Sequence, residues 1–302
     1  MLNVIRHRRI FLTIGIVFVG ASLVSIAVFG FRQGIDFQGG TLWQFRAGDP
    51  GAEALREVRG VLEKDLGYPQ AIVNYSGGGG IMLARLPVVD EPAHQRDLAA
   101  MRERFPEFQE LSFQTIGPSI GKELRKNAVI ALILVLVGIS LYVAFAFRKA
   151  SRPVASWKYG AITLVTLFHD VLVPAGLLAL LGFLRGVEID SNFVVALLVV
   201  MGFSVHDTIV VFDRVREHLG RDRGAGDFGD VVNASVRQTL RRSVYTSLTL
   251  IFVLLALIVA GPQNLFYFLL TLLVGVTAGT YSSIFLASPA LFLVGQSKGR
   301  GK

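Results

Sequence analysis

Six stretches of the chain stay almost unbrokenly apolar for about the 20 positions that a bilayer-crossing helix needs, at 10–31, 128–147, 159–184, 192–212, 243–260 and 265–295. The last is the longest, and Ser288-Pro289-Ala290, with Gly275 and Gly279 softening the run before it, predicts a kink. The first follows Arg6-His7-Arg8-Arg9. Its apolar run is longer than that of a cleavable leader and lacks a convincing cleavage site, so it reads as an anchor. Between the first and second spans the pattern changes. Residues 41–46 alternate like a half-buried strand, and 52–66 place Leu55, Val58 and Leu62 on one helical stripe. QAIVNY and IMLARL flank a GGGG turn at 77–80 as a hairpin, 92–104 reads as a second helix, and FQELSFQTI at 108–116 as a last strand. The order βαββαβ is the ferredoxin-like arrangement, which specifies architecture and not activity.

The predicted fold class is therefore an α-helical polytopic membrane protein with six transmembrane helices and one ferredoxin-like α+β domain between helices 1 and 2. Residues 1–31 form the N-terminus and first helix, and 32–127 the domain. The other five helices occupy 128–295, with loops at 148–158 and 213–242, and 296–302 is a tail.

Composition agrees with this and charge adds orientation. Of 302 residues, 52% are hydrophobic and 17% charged, with a mean hydropathy of +0.56, too apolar for an ordinary soluble domain. The net charge of +8 would suggest nucleic-acid binding if it were clustered on one domain. It is not: 17 of the 30 Lys and Arg lie before 10, in 148–158, in 213–242 and after 295, whereas 185–191 and 261–264 hold only Arg185. The positive-inside rule then predicts cytoplasmic termini and an extracytoplasmic 32–127. Cysteine is absent, and no second His stands at metal-ligand spacing from His94, so neither a disulfide frame nor a metal is expected; His94 and the acids around it read as a solvated face. The glycosylation patterns at Asn74 and Asn233 carry no weight. No Walker motif, nucleophile elbow or HExxH is present, so no hydrolytic site and no cofactor are expected.

The candidate chemistry lies inside the spans. Asp170 in TLFHDVLVP and Asp207 in GFSVHDTIVVF each follow a histidine, and each carboxylate costs about 2.5–3.5 kcal/mol to place mid-membrane on insertion scales. Such a group faces the bundle interior and marks an ion or proton path more often than it serves packing alone. Gly202 and Ser204 keep the surroundings of Asp207 small and polar. QTLRRSVYTSLT brings Arg241 and Arg242 into the next span, with Thr246 and Thr249 following at helical spacing. An arginine holds no exchangeable proton at working pH, but it can keep Asp207 ionised until a proton releases the pair. Asp170 precedes Pro174, and its carboxylate has the simpler use of satisfying freed backbone or hydroxyl donors. His169 and His206 are read as supporting groups.

GIDFQGG after the first span, TIGPSIGKELRKNA, GFSVHDTIVVFDRVRE, NASVRQTLRRSVYTSLT and GTYSSIFLASP together resemble the SecF family, the smaller membrane subunits of the bacterial SecD/SecF protein-export complex, related to the resistance-nodulation-division transporters. The resemblance runs from about residue 34 to 290. It implies a multi-pass protein of the bacterial cytoplasmic (inner) membrane that pairs with a SecD-like subunit in a twelve-span bundle, uses the proton motive force, and helps draw preproteins through the SecYEG channel, with membrane lipids around it and no nucleic acid. The family's relay carboxylate falls on Asp207 and its basic partner on Arg241, with Arg242 as the alternative; His206, Asp170, Thr246 and Ser204 support. The family often has Tyr and Asn where this chain has Phe203 and His206. Gly34, Asp36, Gly39 and Gly40 of GIDFQGG form a structural and coupling motif, its glycines permitting tight turns. Two other readings are half of a small-solute/proton antiporter of the resistance-nodulation-division type and a non-transporting scaffold of the channel.

Overall fold

The structure is a computed structural model that describes residues 3–48, 51–75, 80–148, 154–221 and 227–296. Most of the GGGG turn, the centres of both long polar loops and the tail after 296 lie outside the described residues. The chain divides into two compact units: Gln33–Val129 with Ile189–Ser191, the sheet unit, and Met1–Arg32, Ile130–Glu188 and Asn192–Lys302, the helical unit.

The sheet unit follows the expected βαββαβ order. Strands β1 (Gly40–Arg46), β2 (Ile72–Tyr75), β3 (Met82–Leu86) and β4 (Gln109–Ile116) form one antiparallel sheet in the order β2-β3-β1-β4. Helix α3 (Ala52–Gly60), extended by a wide turn at Val61–Asp65, follows β1, and helix α4 (Glu91–Arg104) follows β3. A short helix, α2 (Ile35–Gln38), leads into β1. The alternation in the sequence puts Trp43, Phe45, Val73, Met82 and Ala84 on the buried face, where Val58, Leu62, Leu98 and Met101 of the helices meet them. Trp43, the largest of these, pairs with Ala84 on one side and Phe113 on the other.

The expectation of a solvated face around His94 is corrected here. His94, Asp97, Leu98 and Met101, spaced i, i+3, i+4, i+7, form the inner face of α4 and are buried. The two polar members have partners. His94 Nε2 lies 2.8 Å from Glu110 Oε2 and its ring stacks on Phe113 at 3.6 Å, while Trp43 Nε1 donates to the same Glu110 oxygen at 2.9 Å. Tyr68 donates its hydroxyl to Asp97, and burial, reinforced by that carboxylate, pushes the Tyr68 hydroxyl up to about 12. A buried polar group costs little once its bonds are made, so helical spacing outranks polarity here.

In the helical unit six helices are long and apolar enough to cross a membrane. They are α1 (Arg8–Phe29), α5 (Pro118–Ala146), α6 (Ser156–Arg185), α7 (Ser191–Arg221), α8 (Phe228–Ala260) and a last, broken one. The last comprises α9 (Phe266–Ser282), a wide turn at Ser283–Ala287 and α10 (Ser288–Gln296). Pro289 lacks the N–H for a regular bond, and the wide turn just before it absorbs the break, as π-bulges do. Gly275 and Gly279 have a different role from the softening expected. A Cβ at Gly275 would lie 2.3 Å from a Val200 methyl and one at Gly279 2.9 Å from Ser204 Cβ, so the pair lets α9 run closely along α7. Three helices start well before their apolar runs or end well after them. Pro118 opens α5 at a favoured first position, and GKELRKN and DVVNASVRQT are good helix sequences without a hydropathy signal. Asn233 is buried, donating to Asn3 Oδ1 and accepting from Ile5 N–H, so it ties down the N-terminal segment.

Candidate functional site

Helices α6, α7 and the last one bury about half of their apolar cores or more, whereas α1, α5 and α8 leave most of theirs uncovered. Intramembrane polar groups gather on the inner three and on the one face of α8 that meets them. Ser235, Thr239, Ser243 and Ser247 of α8, four residues apart throughout, are all buried, a hydroxyl seam that the sequence reading missed in favour of Thr246 and Thr249. The signal for it was the i, i+4 spacing of small hydroxyl residues on one face. Thr246 and Thr249 point away from the bundle and donate to carbonyls of their own helix.

Asp170 on α6 is 0% exposed and saturated. His169 Nδ1 donates to its Oδ1 at 2.8 Å, and Oδ2 accepts from Ser282 Oγ of α9 at 2.7 Å and from Ser204 Oγ of α7. One carboxylate thus joins three helices. Among the described residues His169 Nε2 is buried without a hydrogen-bond partner.

Asp207 on α7, 3% exposed, has the opposite setting. Among the described residues its Oδ2 is buried and closes no hydrogen bond, and neither does the nearby Ser243 hydroxyl. Ser243 and Ser247 of α8 flank the carboxylate, and His206 and, less strongly, Arg242 act on it through space. The Ser247 hydroxyl is engaged elsewhere, donating to Ser243 O at 2.9 Å and accepting from Thr280 at 2.6 Å. The structure does not bring Arg241 to Asp207. Arg241 is exposed, donates through Nε to the Tyr245 hydroxyl at 3.2 Å and lies over that ring at 5.6 Å. Arg242 is exposed as well; of the two adjacent arginines it is the one whose charge reaches Asp207 through space. No ion pair joins Asp207 to either arginine among the described residues. Ser204 serves Asp170, and His206 is exposed, on the far side of its helix from Ser204 and Thr208.

Within the sheet unit, the GIDFQGG segment holds the start of α7. Asp36 Oδ2 accepts the Ser191 N–H at 2.8 Å, a side-chain cap on the first residue of that helix, and Gly34 N–H donates to Ile189 O at 2.8 Å. Gly39 and Gly40 adopt φ of 81° and 118°. A Cβ on Gly39 would lie 2.8 Å from Pro118 Cα, so the turn also needs glycine to approach the start of α5. Gly34 has φ −73°, which any residue adopts; it caps α2, with its carbonyl accepting from Phe37 and Gln38.

Among the described residues no group of three His, Asp or Glu is arranged to hold a metal ion. The arrangement offers an isolated, solvent-poor carboxylate that can accept a proton, next to a hydroxyl with bonding capacity to spare.

Comparison with known proteins places these features in a family. Residues 97–297 match the family described as protein export membrane protein SecD/SecF, C-terminal, and residues 24–50 match the SecD/SecF GG motif. The chain is 42% identical over 300 residues to a protein translocase subunit SecF of Thermobaculum terrenum, covering 95% of this chain and 92% of the relative. It is 37% identical to one of Anaerolinea thermophila, covering 97% and 94%. Among solved structures, SecDF from Thermus thermophilus, a translocon-associated membrane protein, superposes with a TM-score of 0.83 at 32% identity. The match covers 99% of this chain but only 39% of that one, so this chain spans well under half of the SecDF polypeptide. A SecDF structure in a super-membrane-facing form superposes with a TM-score of 0.69.

Proposed function

The chain belongs to the SecD/SecF family of protein-export membrane proteins, and from that premise we infer that it is a proton-driven SecF-type subunit that acts with a SecD-like partner to promote passage of preproteins through the SecYEG channel. The observation that carries this reading is Asp207, a carboxylate almost out of contact with solvent, in the middle of a membrane helix, with one oxygen unpaired. An ionised carboxylate only accepts hydrogen bonds, and it draws Arg242 and the free Ser243 hydroxyl toward it. Protonation removes that attraction and supplies one O–H donor. The partners preferred by the two forms therefore differ, and a differing preference is what lets a proton shift an equilibrium between two arrangements of α7 and α8.

The capping of α7 supports the link to work outside the membrane. Asp207 lies 16 residues after Ser191, about 24 Å along the helix, so a displacement of α7 at Asp207 pulls on a helix end that Asp36 holds. The positive-inside count supports a location in the bacterial cytoplasmic membrane with both termini in the cytoplasm and 32–127 outside. The small-solute antiporter reading has no observation of its own in its favour.

The test uses sealed vesicles with this chain, its SecD-like partner and the Sec channel at equal membrane levels. A proton gradient stimulates export with the wild type and leaves Asp207→Asn at the level seen without a gradient. Equal stimulation of the two makes Asp207 structural and means that the energy enters elsewhere.

A further inference from the structure

The helical unit carries an apolar groove of about 830 Å³, walled by α1, by the first half of α6 and by the segment from Leu286 to Val294. Its walls are almost wholly hydrocarbon: Leu12, Ile16 and Leu23 on one side, Val165 and Phe168 on the other. The groove is bare at Gly20, where a Cβ would meet nothing within 4 Å. Elsewhere α1 meets α6 tightly, with Ser22 against Gly176 and Ser25 Oγ donating to Gly176 O at 2.8 Å.

Thr166 and His169 also line the groove further along α6, but its cationic end is at the start of that helix. Trp157 and Lys158 stand there at the start of α6, Trp157 64% exposed and Lys158 half-buried. Arg9 is exposed one turn before Leu12 on the face of α1 that lines the groove, as 9, 12, 16, 20 and 23 fall on one stripe. Among the described residues Lys158 Nζ makes one hydrogen bond, to Val294 O at 3.4 Å, and lies over the Trp157 ring at 5.9 Å, while an ammonium has three donors. Two cations and an interfacial tryptophan at the mouth of a hydrocarbon slot match one chemistry: an anionic phosphate headgroup with an acyl chain lying along the groove. We propose that this groove is a binding site for an anionic phospholipid of the leaflet on the side of the chain's N-terminus, with the phosphate held by Lys158 and Arg9 and an acyl chain seated over Gly20. The site does not depend on Asp207 or on proton coupling.

The chain has two tryptophans, and Trp43 is buried in the sheet unit, so Trp157 reports on lipid at the groove mouth, with Trp157→Phe as the blank. The full chain with its SecD-like partner is reconstituted in bilayers titrated with phosphatidylglycerol or phosphatidylcholine brominated on the acyl chains, and quenching is followed. The expected result is a preference for phosphatidylglycerol of roughly thirtyfold, the factor that two interfacial cations supply. Lys158→Ala with Arg9→Ala abolishes the preference, and so does Gly20→Phe, whose Cβ has open space at that position and whose ring occupies the groove. Equal quenching by both lipids would show unselective annular lipid and overturn the proposal. Little quenching by either would show a polypeptide covering the groove, and that result overturns it as well. A preference that survives both the cation variants and Gly20→Phe places the lipid elsewhere and is equally fatal to the proposal.

Discussion

The same dipeptide occurs twice in the membrane bundle with opposite surroundings. His169-Asp170 and His206-Asp207 both sit deep in apolar helices, and both carboxylates are nearly free of solvent. Asp170 receives donors from three helices, one of them from its own histidine, which is buried beside it. Asp207 has an oxygen without a partner, and its histidine is exposed. Burial is common to both, so burial does not decide which group is available to a proton; the number of donors already committed does. A saturated carboxylate locks helices together through charge-assisted bonds. An unsaturated one gains from any change that brings it a partner, and it is the one poised to switch.

The contrast predicts opposite responses to truncation. Asp170→Ala strands three donors in apolar surroundings and costs on the order of 3 kcal/mol or more, visible as a lowered melting temperature and reduced membrane level. Asp207→Ala has few bonds to lose and shifts stability by about 1 kcal/mol or less while removing gradient-driven export. A similar loss of stability in both variants would break the comparison. It is sharpened by the hydroxyls alone: Ser282→Ala costs about 2 kcal/mol because a charged acceptor loses its donor, whereas Ser243→Ala, whose hydroxyl is unpaired, stays within about 0.5 kcal/mol in thermal denaturation. Between the arginines, Arg242→Ala slows gradient-driven export by roughly tenfold, equivalent to about 1.4 kcal/mol, while Arg241→Ala changes it less. The reverse order in the vesicle assay would put Arg241 beside Asp207 in the working state.

The smallest effect is expected outside the membrane, where Tyr68 and Asp97 repeat the satisfied arrangement of Asp170. The raised value of Tyr68 favours its neutral form in the fold, so its contribution is complete below the ordinary phenol value of about 10 and is lost as pH rises through about 12. In a Trp157→Phe background, with Trp43 fluorescence as the readout, the wild-type sheet unit loses more stability across that window than Tyr68→Phe does. Equal slopes would show that the Tyr68 hydroxyl is not held by the fold.

The six spans and the ferredoxin-like order were legible because each rests on a local period: the apolar length of a bilayer crossing, or the alternation that puts Trp43 and Phe45 on one face of β1. What was hidden depends on partners far away in sequence. Nothing near Asp170 announces Ser204 and Ser282, which lie 34 and 112 residues on, so its saturation could not be read from HDVLVP. The choice between Arg241 and Arg242 turned on one helical step, a rotation of about 100° that a motif does not fix without the neighbouring helix. Asp36 was legible as part of a turn motif but not as the cap of a helix that starts 155 residues later. The buried seam of Ser235, Thr239, Ser243 and Ser247 was within reach, since its four-residue spacing is a local pattern, but the exposed Thr246 and Thr249, three residues apart, also lie at helical spacing and hydroxyl residues alone do not tell which face is inside.

Of two equally buried carboxylates, we assign the exchangeable proton to Asp207. Infrared difference spectroscopy separates them, recorded across a pH step on the full chain with its SecD-like partner in membranes, in the wild type, Asp207→Asn and Asp170→Asn. A protonated-carboxyl band is expected to appear on acidification in the wild type and in Asp170→Asn and to be missing from Asp207→Asn. A band that persists in Asp207→Asn and vanishes in Asp170→Asn would contradict this and assign the exchangeable proton to the carboxylate on α6.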